Sequence, residues 1–181
     1  MTRLVLCRHA QLETPRQAES LADALAPLPL AAVYTSTLAR AVETARAVAA
    51  AHDLVPVELA ELREIDLGEV EGVTFDDFPA ELRSGLLERP LEVRFPGGET
   101  YEELRRRVTA ALDRIVAAHP DETVAVISHA GAIRAALATW LAVAAEAFFR
   151  IDQRFAAVNV VDWIDGVPLV RLVNGTIADG A

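Results

Sequence analysis

The chain has a single cysteine, Cys7, which excludes an intramolecular disulfide and with it a small secreted fold held together by cross-links. Basic residues are scarce relative to acids: 17 against 27, a formal net charge of -10. No basic run or arginine-rich face offsets that charge, so neither nucleic acid nor an anionic membrane is an expected partner. An anionic ligand would have to meet arginines placed locally. Long apolar runs are missing as well. The longest, residues 135–145, is about half a membrane span and is bracketed by Arg134 and Glu146, which predicts a buried helix. The apolar run between Arg3 and Arg8 is too short for a signal-peptide core, and a cytoplasmic location is expected. Internal repeats, linkers and low-complexity tracts do not occur either. A length of 181 residues, 52% of them hydrophobic, suits one domain over residues 1–181 with a sizeable core.

What is present is an alternation of apolar runs and helical patterns. Leu4-Val5-Leu6-Cys7, Leu30-Ala31-Ala32-Val33-Tyr34 and Thr123-Val124-Ala125-Val126-Ile127 read as buried strands, and residues 55–59 as a weaker one. Pro15 opens a helical pattern with Leu21 and Leu25 on its inner face, and Thr35-Ser36 are the expected N-cap residues of a second helix reaching about Ala51. Thr100 and Glu103 form a capping box before a long helix that ends ahead of Pro120, and a further helix is expected from about Ala132. Residues 74–96 are irregular, with short helices expected around Phe78 to Leu87. Asp165-Gly166, between two β-rich runs, marks a tight hairpin, with Pro168 suited to an edge strand. The predicted fold is α/β: a three-layer sandwich with a mainly parallel central sheet, helices on both faces and a C-terminal antiparallel edge hairpin.

Ligands of such sheets bind beyond the carboxyl ends of the strands. Arg8-His9, Arg40 and Ser128-His129 all fall at such ends or in the first turns after them. Arg8, Arg40 and His129 would offer donors to phosphoryl oxygens, helped by the helix that begins after His129. His9, neutral among cations, could attack phosphorus, and these groups could neutralise the equatorial oxygens without a metal. The leaving alkoxide needs a proton, and the carboxylate-rich loop of residues 61–71 is its natural source. Spacing alone does not choose among Glu61, Glu64, Asp66, Glu69 and Glu71. Other groups read as structural. His52 and His119 sit near helix C-termini, Cys7 lacks the phosphate-cradling loop of a thiolate nucleophile, and no metal-ligand spacing occurs.

Five ordered strings carry a resemblance: Leu6-Cys7-Arg8-His9-Ala10, Tyr34-Thr35-Ser36-Thr37-Leu38-Ala39-Arg40-Ala41, the loop from Leu62 to Gly72, Pro96-Gly97-Gly98-Glu99-Thr100, and Ile127-Ser128-His129-Ala130-Gly131-Ala132-Ile133-Arg134. Together they resemble the histidine phosphatase superfamily, also called phosphoglycerate mutase-like, on its phosphatase branch. The resemblance implies that His9 is transiently phosphorylated, that Arg8, Arg40 and His129 hold the phosphoryl group, and that Glu64 is first acid, then base toward water. It implies no cofactor and no metal, with a small phosphate ester as the binding partner. Hydrolysis of phosphomonoesters is the favoured reading. A weakly active or inactive phosphate-binding domain and a small phosphomutase are the alternatives. Ala10 and Ala130 stand where the family has glycine, a costly exchange wherever φ is positive. The connection from His9 to the first helix is short, so the usual substrate-contacting loop is nearly absent.

Overall fold

Apolar runs such as 4–7 and 124–127 become strands because both faces of the sheet are covered, and every residue along them is then apolar. The computed structural model describes residues 1–11 and 14–176. Leu12 and Glu13, part of the short connection expected after His9, and residues 177–181 lie outside the described residues. The described strands are β1 (Thr2–Arg8), β2 (Leu30–Thr35), β3 (Val57–Glu58), β4 (Thr123–Ser128), β5 (Val158–Ile164) and β6 (Val167–Gly175), in the order β3-β2-β4-β1-β5-β6. The pairs β3–β2, β2–β4 and β4–β1 are parallel, whereas β5 runs antiparallel to β1 and β6 to β5. This is the expected sandwich, with its hairpin on one edge.

Five α-helices accompany the sheet among the described residues: α1 (Pro15–Leu25), α2 (Ala39–Ala50), α3 (Ala80–Glu88), α4 (Tyr101–Ala118) and α5 (Ala130–Trp140). The period-two geometry of a strand divides the core. Val5, Cys7, Ala125 and Ile127 pack with α1 and α2 through Leu21, Leu25 and Val48. Leu4, Leu6, Val124 and Val126 pack on the other face with α4 and α5 through Leu104, Val108, Ile133 and Leu137. The capping box of α4 is complete: Glu103 N donates to Thr100 Oγ1 at 3.0 Å and Thr100 N to Glu103 Oε2 at 2.9 Å. Asp165 and Gly166 both take left-handed angles, φ 52 and 80, as a two-residue hairpin turn requires.

Three expectations need correction. Thr35 and Ser36 are not the N-cap residues of α2; Thr35 ends β2, Leu38 occupies the N-cap position, and the Ser36 hydroxyl accepts from Leu38 N at 3.3 Å while meeting His129 Nε2 at 2.6 Å. The apolar run 135–145 is not one helix, because α5 stops at Trp140 and Ala142 turns left-handed at φ 50 before a 3-10 stretch, Ala145–Arg150. The weak strand shrinks to β3, where only two residues reach the edge of β2.

One feature of the topology positions the site. β1 and β4 are central, parallel neighbours with Arg8 opposite Ser128, so the next residues, His9 and His129, leave the sheet side by side. The helix after β1 covers one face and the helix after β4 the other, which opens a crevice between the two strand ends.

Candidate active site

His9 is 5% exposed. Its Nδ1 lies 2.7 Å from the Ala10 carbonyl oxygen, and since a carbonyl only accepts, the proton sits on Nδ1 and the lone pair on Nε2. Arg40 Nε donates to that Nε2 at 3.2 Å. Burial, then the charges of Arg40 and Arg8, push the His9 pKa down to about 4, against the opposing bond to Ala10. His129, fully buried, stands at the N-cap position of α5 with its ring centroid 5.0 Å from that of His9. Its Nε2 is 2.6 Å from Ser36 Oγ, and burial, followed by His9 and the nearby arginines, lowers its pKa to about 2. Ser36 was read from sequence as a helix cap; its role here is to orient a histidine.

Arg8 stacks over the Phe155 ring at 3.7 Å and donates from one terminal nitrogen to the Gln153 carbonyl at 2.5 Å. Its Nε is buried without a hydrogen-bond partner, and so is His129 Nδ1. Buried polar atoms are normally satisfied, so two orphans at one strand-end crevice mark a position where a ligand's acceptor atoms would complete the bonding. Arg40 is the second residue of α2. Thr44, one turn on, donates to the Arg40 carbonyl at 2.9 Å and accepts from Ala10 N at 3.0 Å, tying the helix to the segment after His9.

Of the five loop acids, Glu64 reaches the histidines' end of the sheet. Its Oε2 accepts from Gly131 N at 3.0 Å and its Oε1 from Ile65 N at 2.9 Å, which puts the carboxylate on the N-terminus of α5. A Cβ at position 131 would lie 2.3 Å from Glu64 Oε1, so any side chain there would push the Glu64 carboxylate from its place. Glu61 pairs instead with Arg114 at 2.6 Å, and Asp66 accepts from Gly68 N at 3.0 Å. Neither Ala10 nor Ala130 has a positive φ, so alanine carries no backbone strain at either place.

Arg107, on α4, escaped the sequence reading. Its guanidinium donates to the carbonyls of Glu61, Arg63 and Glu64 at 2.8–2.9 Å and to both carboxylate oxygens of Glu99, at 3.0 and 2.5 Å. Glu99 in turn accepts from Asp66 N at 3.0 Å. Ser128 Oγ, at the end of β4, donates to the Leu62 carbonyl at 2.7 Å. The Pro-Gly-Gly-Glu string is thus a clamp on the acid loop. A Cβ on Gly98 would come within 2.2 Å of the Asp66 carbonyl oxygen, and one on Gly68 within 2.1 Å of that of Pro96. In the sequence, Arg105-Arg106-Arg107 looks like a solvated helix face, and nothing distinguishes the third arginine.

The remaining candidates sit elsewhere. Cys7 is fully buried and burial pushes its thiol to about 12, far from a thiolate nucleophile. His119 bonds to the Tyr34 hydroxyl at 3.0 Å and to Glu122 at 2.7 Å. Among the described residues no three His, Cys, Asp or Glu side chains group as a metal site would need. Two cavities flank Glu64: a polar one of about 620 Å3, bordered by Arg40, Arg63, Glu71 and Arg107, and an apolar one of about 480 Å3.

An unprotonated histidine, a second histidine, two arginines and a carboxylate gather at one strand-end crevice, and the comparisons give the family. The family model of the histidine phosphatase superfamily (branch 1) matches residues 12–176, and the chain belongs to that superfamily. It is 34% identical over 198 residues to the bifunctional protein Rv2228c of Mycobacterium tuberculosis, covering 97% of this chain and 54% of that one. The chain therefore spans about half the length of the first curated relatives it matches. It is 28% identical to phosphoserine phosphatase 1 of Hydrogenobacter thermophilus, over 89% of this chain and 86% of that one. Among solved structures, Bacillus stearothermophilus YhfR superposes with a TM-score of 0.88 at 25% identity, covering 97% and 98% of the two chains. The mycobacterial glucosyl-3-phosphoglycerate phosphatase Rv2419c shares the fold, with a TM-score of 0.83 at 22% identity over 96% and 98%.

Proposed function

We propose that the protein is a metal-independent phosphomonoester hydrolase that acts through a phosphohistidine on His9. The observation that carries this reading is the His9 ring itself: its tautomer leaves Nε2 unprotonated, and burial among arginines keeps it neutral. In the first step Nε2 attacks phosphorus, the Nε2–P bond forms and the P–O ester bond breaks. Glu64 gives its proton to the departing alkoxide. The Arg40 Nε–H that points at Nε2 in the free protein turns to a phosphoryl oxygen, joined by Arg8 Nε and by His129 Nδ1. The Ser36 hydroxyl, donating to His129 Nε2, would leave the His129 proton on Nδ1 for that purpose. In the second step the Glu64 carboxylate takes a proton from water, the water oxygen bonds to phosphorus and the Nε2–P bond breaks. Inorganic phosphate leaves and His9 is neutral again.

Support from relatives is of two kinds. Phosphoserine phosphatase 1 is named for hydrolysis, whereas the probable phosphoglycerate mutase GpmB of Yersinia pestis, 30% identical over 151 residues, is named for transfer. The deciding experiment is turnover of a panel of phosphomonoesters in isotope-labelled water, with and without a strong chelator. Phosphate that carries one solvent oxygen, released equally with chelator, is expected. Phosphoryl transfer to a second substrate hydroxyl without solvent oxygen would replace hydrolysis by a mutase reaction. Ester binding without turnover would reduce the protein to a phosphate-binding domain.

A further inference from the structure

The chain is poor in aromatics, with ten in all, yet five of them line the apolar cavity beside Glu64: Phe75, Phe78, Phe95, Tyr101 and Phe149. They form an unbroken series of edge-to-face or tilted contacts, Phe75–Phe78 at 5.9 Å, Phe78–Phe95 at 6.1 Å, Phe95–Tyr101 at 5.9 Å and Tyr101–Phe149 at 5.3 Å. The middle three are buried in the core and fix the wall. The outer two are 45% and 43% exposed, so large apolar faces are left open to solvent around a concave space. The cavity is not remote from the chemistry. Glu64 and Gly131, partners in a hydrogen bond, belong to its wall, and the charges of Glu64 and Arg134 act on both Tyr101 in that wall and Arg8 in the phosphate clamp.

A general acid must lie beside the oxygen it protonates, so the leaving group has to start at Glu64 and extend into a space that borders it. Of the two such spaces, the polar one is lined by Arg40, Arg63, Glu71 and a loop-holding set, Asp66, Glu99 and Arg107, and suits a polar group rather than an apolar one. Arg107 and Glu99 are spent on each other and on backbone. The aromatic one has no such commitment. Its single arginine, Arg134, donates Nε to the Ile151 carbonyl at 2.9 Å and stands over the Phe149 ring, 5.7 Å from its centroid, at one end of the aromatic series. We infer that the substrate is the phosphate ester of an alcohol bearing a bulky apolar or aromatic group, and that this group fills the Phe75–Phe149 cavity while the phosphoryl group sits on His9. The inference rests on Glu64 being the proton donor. It gives the chain a means of substrate recognition that does not depend on the short segment after His9.

The test compares 2-(1-naphthyl)ethyl phosphate with ethyl phosphate, whose leaving alcohols are alike at the reacting oxygen, and adds phosphoserine and 3-phosphoglycerate as polar esters. Burial of the naphthyl group predicts a kcat/KM on the order of 50-fold above that of ethyl phosphate. The polar esters should stay near ethyl phosphate. Phe75→Ser and Phe149→Ser alter partly exposed positions, and each should cut the naphthylethyl-to-ethyl ratio about 5-fold or more, a ratio that cancels losses common to both esters. Binding of the non-hydrolysable naphthylethyl phosphonate, followed by calorimetry, gives a readout independent of turnover. If esters are not hydrolysed but the phosphonate binds in a Phe75-dependent way, the hydrolase reading fails and the cavity assignment stands. If esters are hydrolysed with no apolar preference, or the ratio survives both substitutions, the assignment is overturned and the hydrolase reading stands. A dimer in solution that Phe75→Ser dissolves, with no apolar preference, would also overturn it and make the aromatic wall a subunit contact.

Discussion

A histidine can serve as a nucleophile at neutral pH only if it stays unprotonated beside a dianion, and here burial does more toward that than the arginines do. The consequence is visible in stability. His9 and His129 bind a proton near pH 6.5 in the unfolded chain but only near 4 and 2 in the folded one. Between those limits the unfolded state holds more protons, so folding stability rises with pH and is lost as pH falls below about 6.5. From pH 7.5 to pH 5 each histidine should remove roughly 2 kcal/mol, measured by urea denaturation of the free protein. His9→Gln should flatten that dependence by about half, and equal stability at the two pH values would contradict the assigned environments. At this scale the sequence shows which residue types stand at strand ends, and Arg8, His9, Arg40 and His129 are all legible there. Spacing does not show which of five acids faces them, and only the family resemblance singles out Glu64, because its place is fixed by Gly131 N–H, a backbone group contributed from 67 residues away.

Among the elements, β1, β2 and β4 were legible because continuous apolar runs have one solution in a covered sheet, and α4 because its capping box is local. The start of α2 was misread for an instructive reason. Ser36 has the chemistry of a cap and does accept from Leu38 N, but the helix begins two residues later than the sequence pattern suggests and the same hydroxyl reaches His129. Arg107 is the larger omission. Most of its acceptors are backbone carbonyls of a loop with no regular structure, and no side-chain pattern announces them. Its contacts hold the acid loop, so on the proposed mechanism its loss should act through Glu64. Arg107→Ala, with its far-ultraviolet spectrum unchanged, should lower kcat on alkyl phosphates on the order of 100-fold, and on p-nitrophenyl phosphate, whose leaving group needs no proton, by less than about 10-fold. Arg107→Lys should resemble the alanine variant, since one ammonium cannot span three carbonyls and a carboxylate. Equal losses on both esters would mean that Arg107 merely holds the fold.

For the whole molecule, the arrangement follows from one topological fact. β1 and β4 lie side by side at the centre and send their helices to opposite faces, so the crevice, the helix N-terminus of α5 and two histidines arrive at the same place. Strand-helix alternation in the sequence foretells the class of fold and the sheet edge at which the two histidines and two arginines gather. It does not foretell the aromatic wall, which is assembled from the segment 75–95 around the short helix α3, from Tyr101 at the start of α4 and from Phe149 in a 3-10 stretch. The central claim is covalent chemistry at His9. Its most direct test is a rapid alkaline quench of the Glu64→Gln variant after mixing with p-nitrophenyl phosphate that carries a radiolabelled phosphoryl group. The first step then needs no acid, and the second lacks its base. A base-stable, acid-labile label should accumulate on His9 and disappear in a second variant that also carries His9→Ala. Turnover without any labelled protein, or a label that persists when His9 is removed, would contradict that claim.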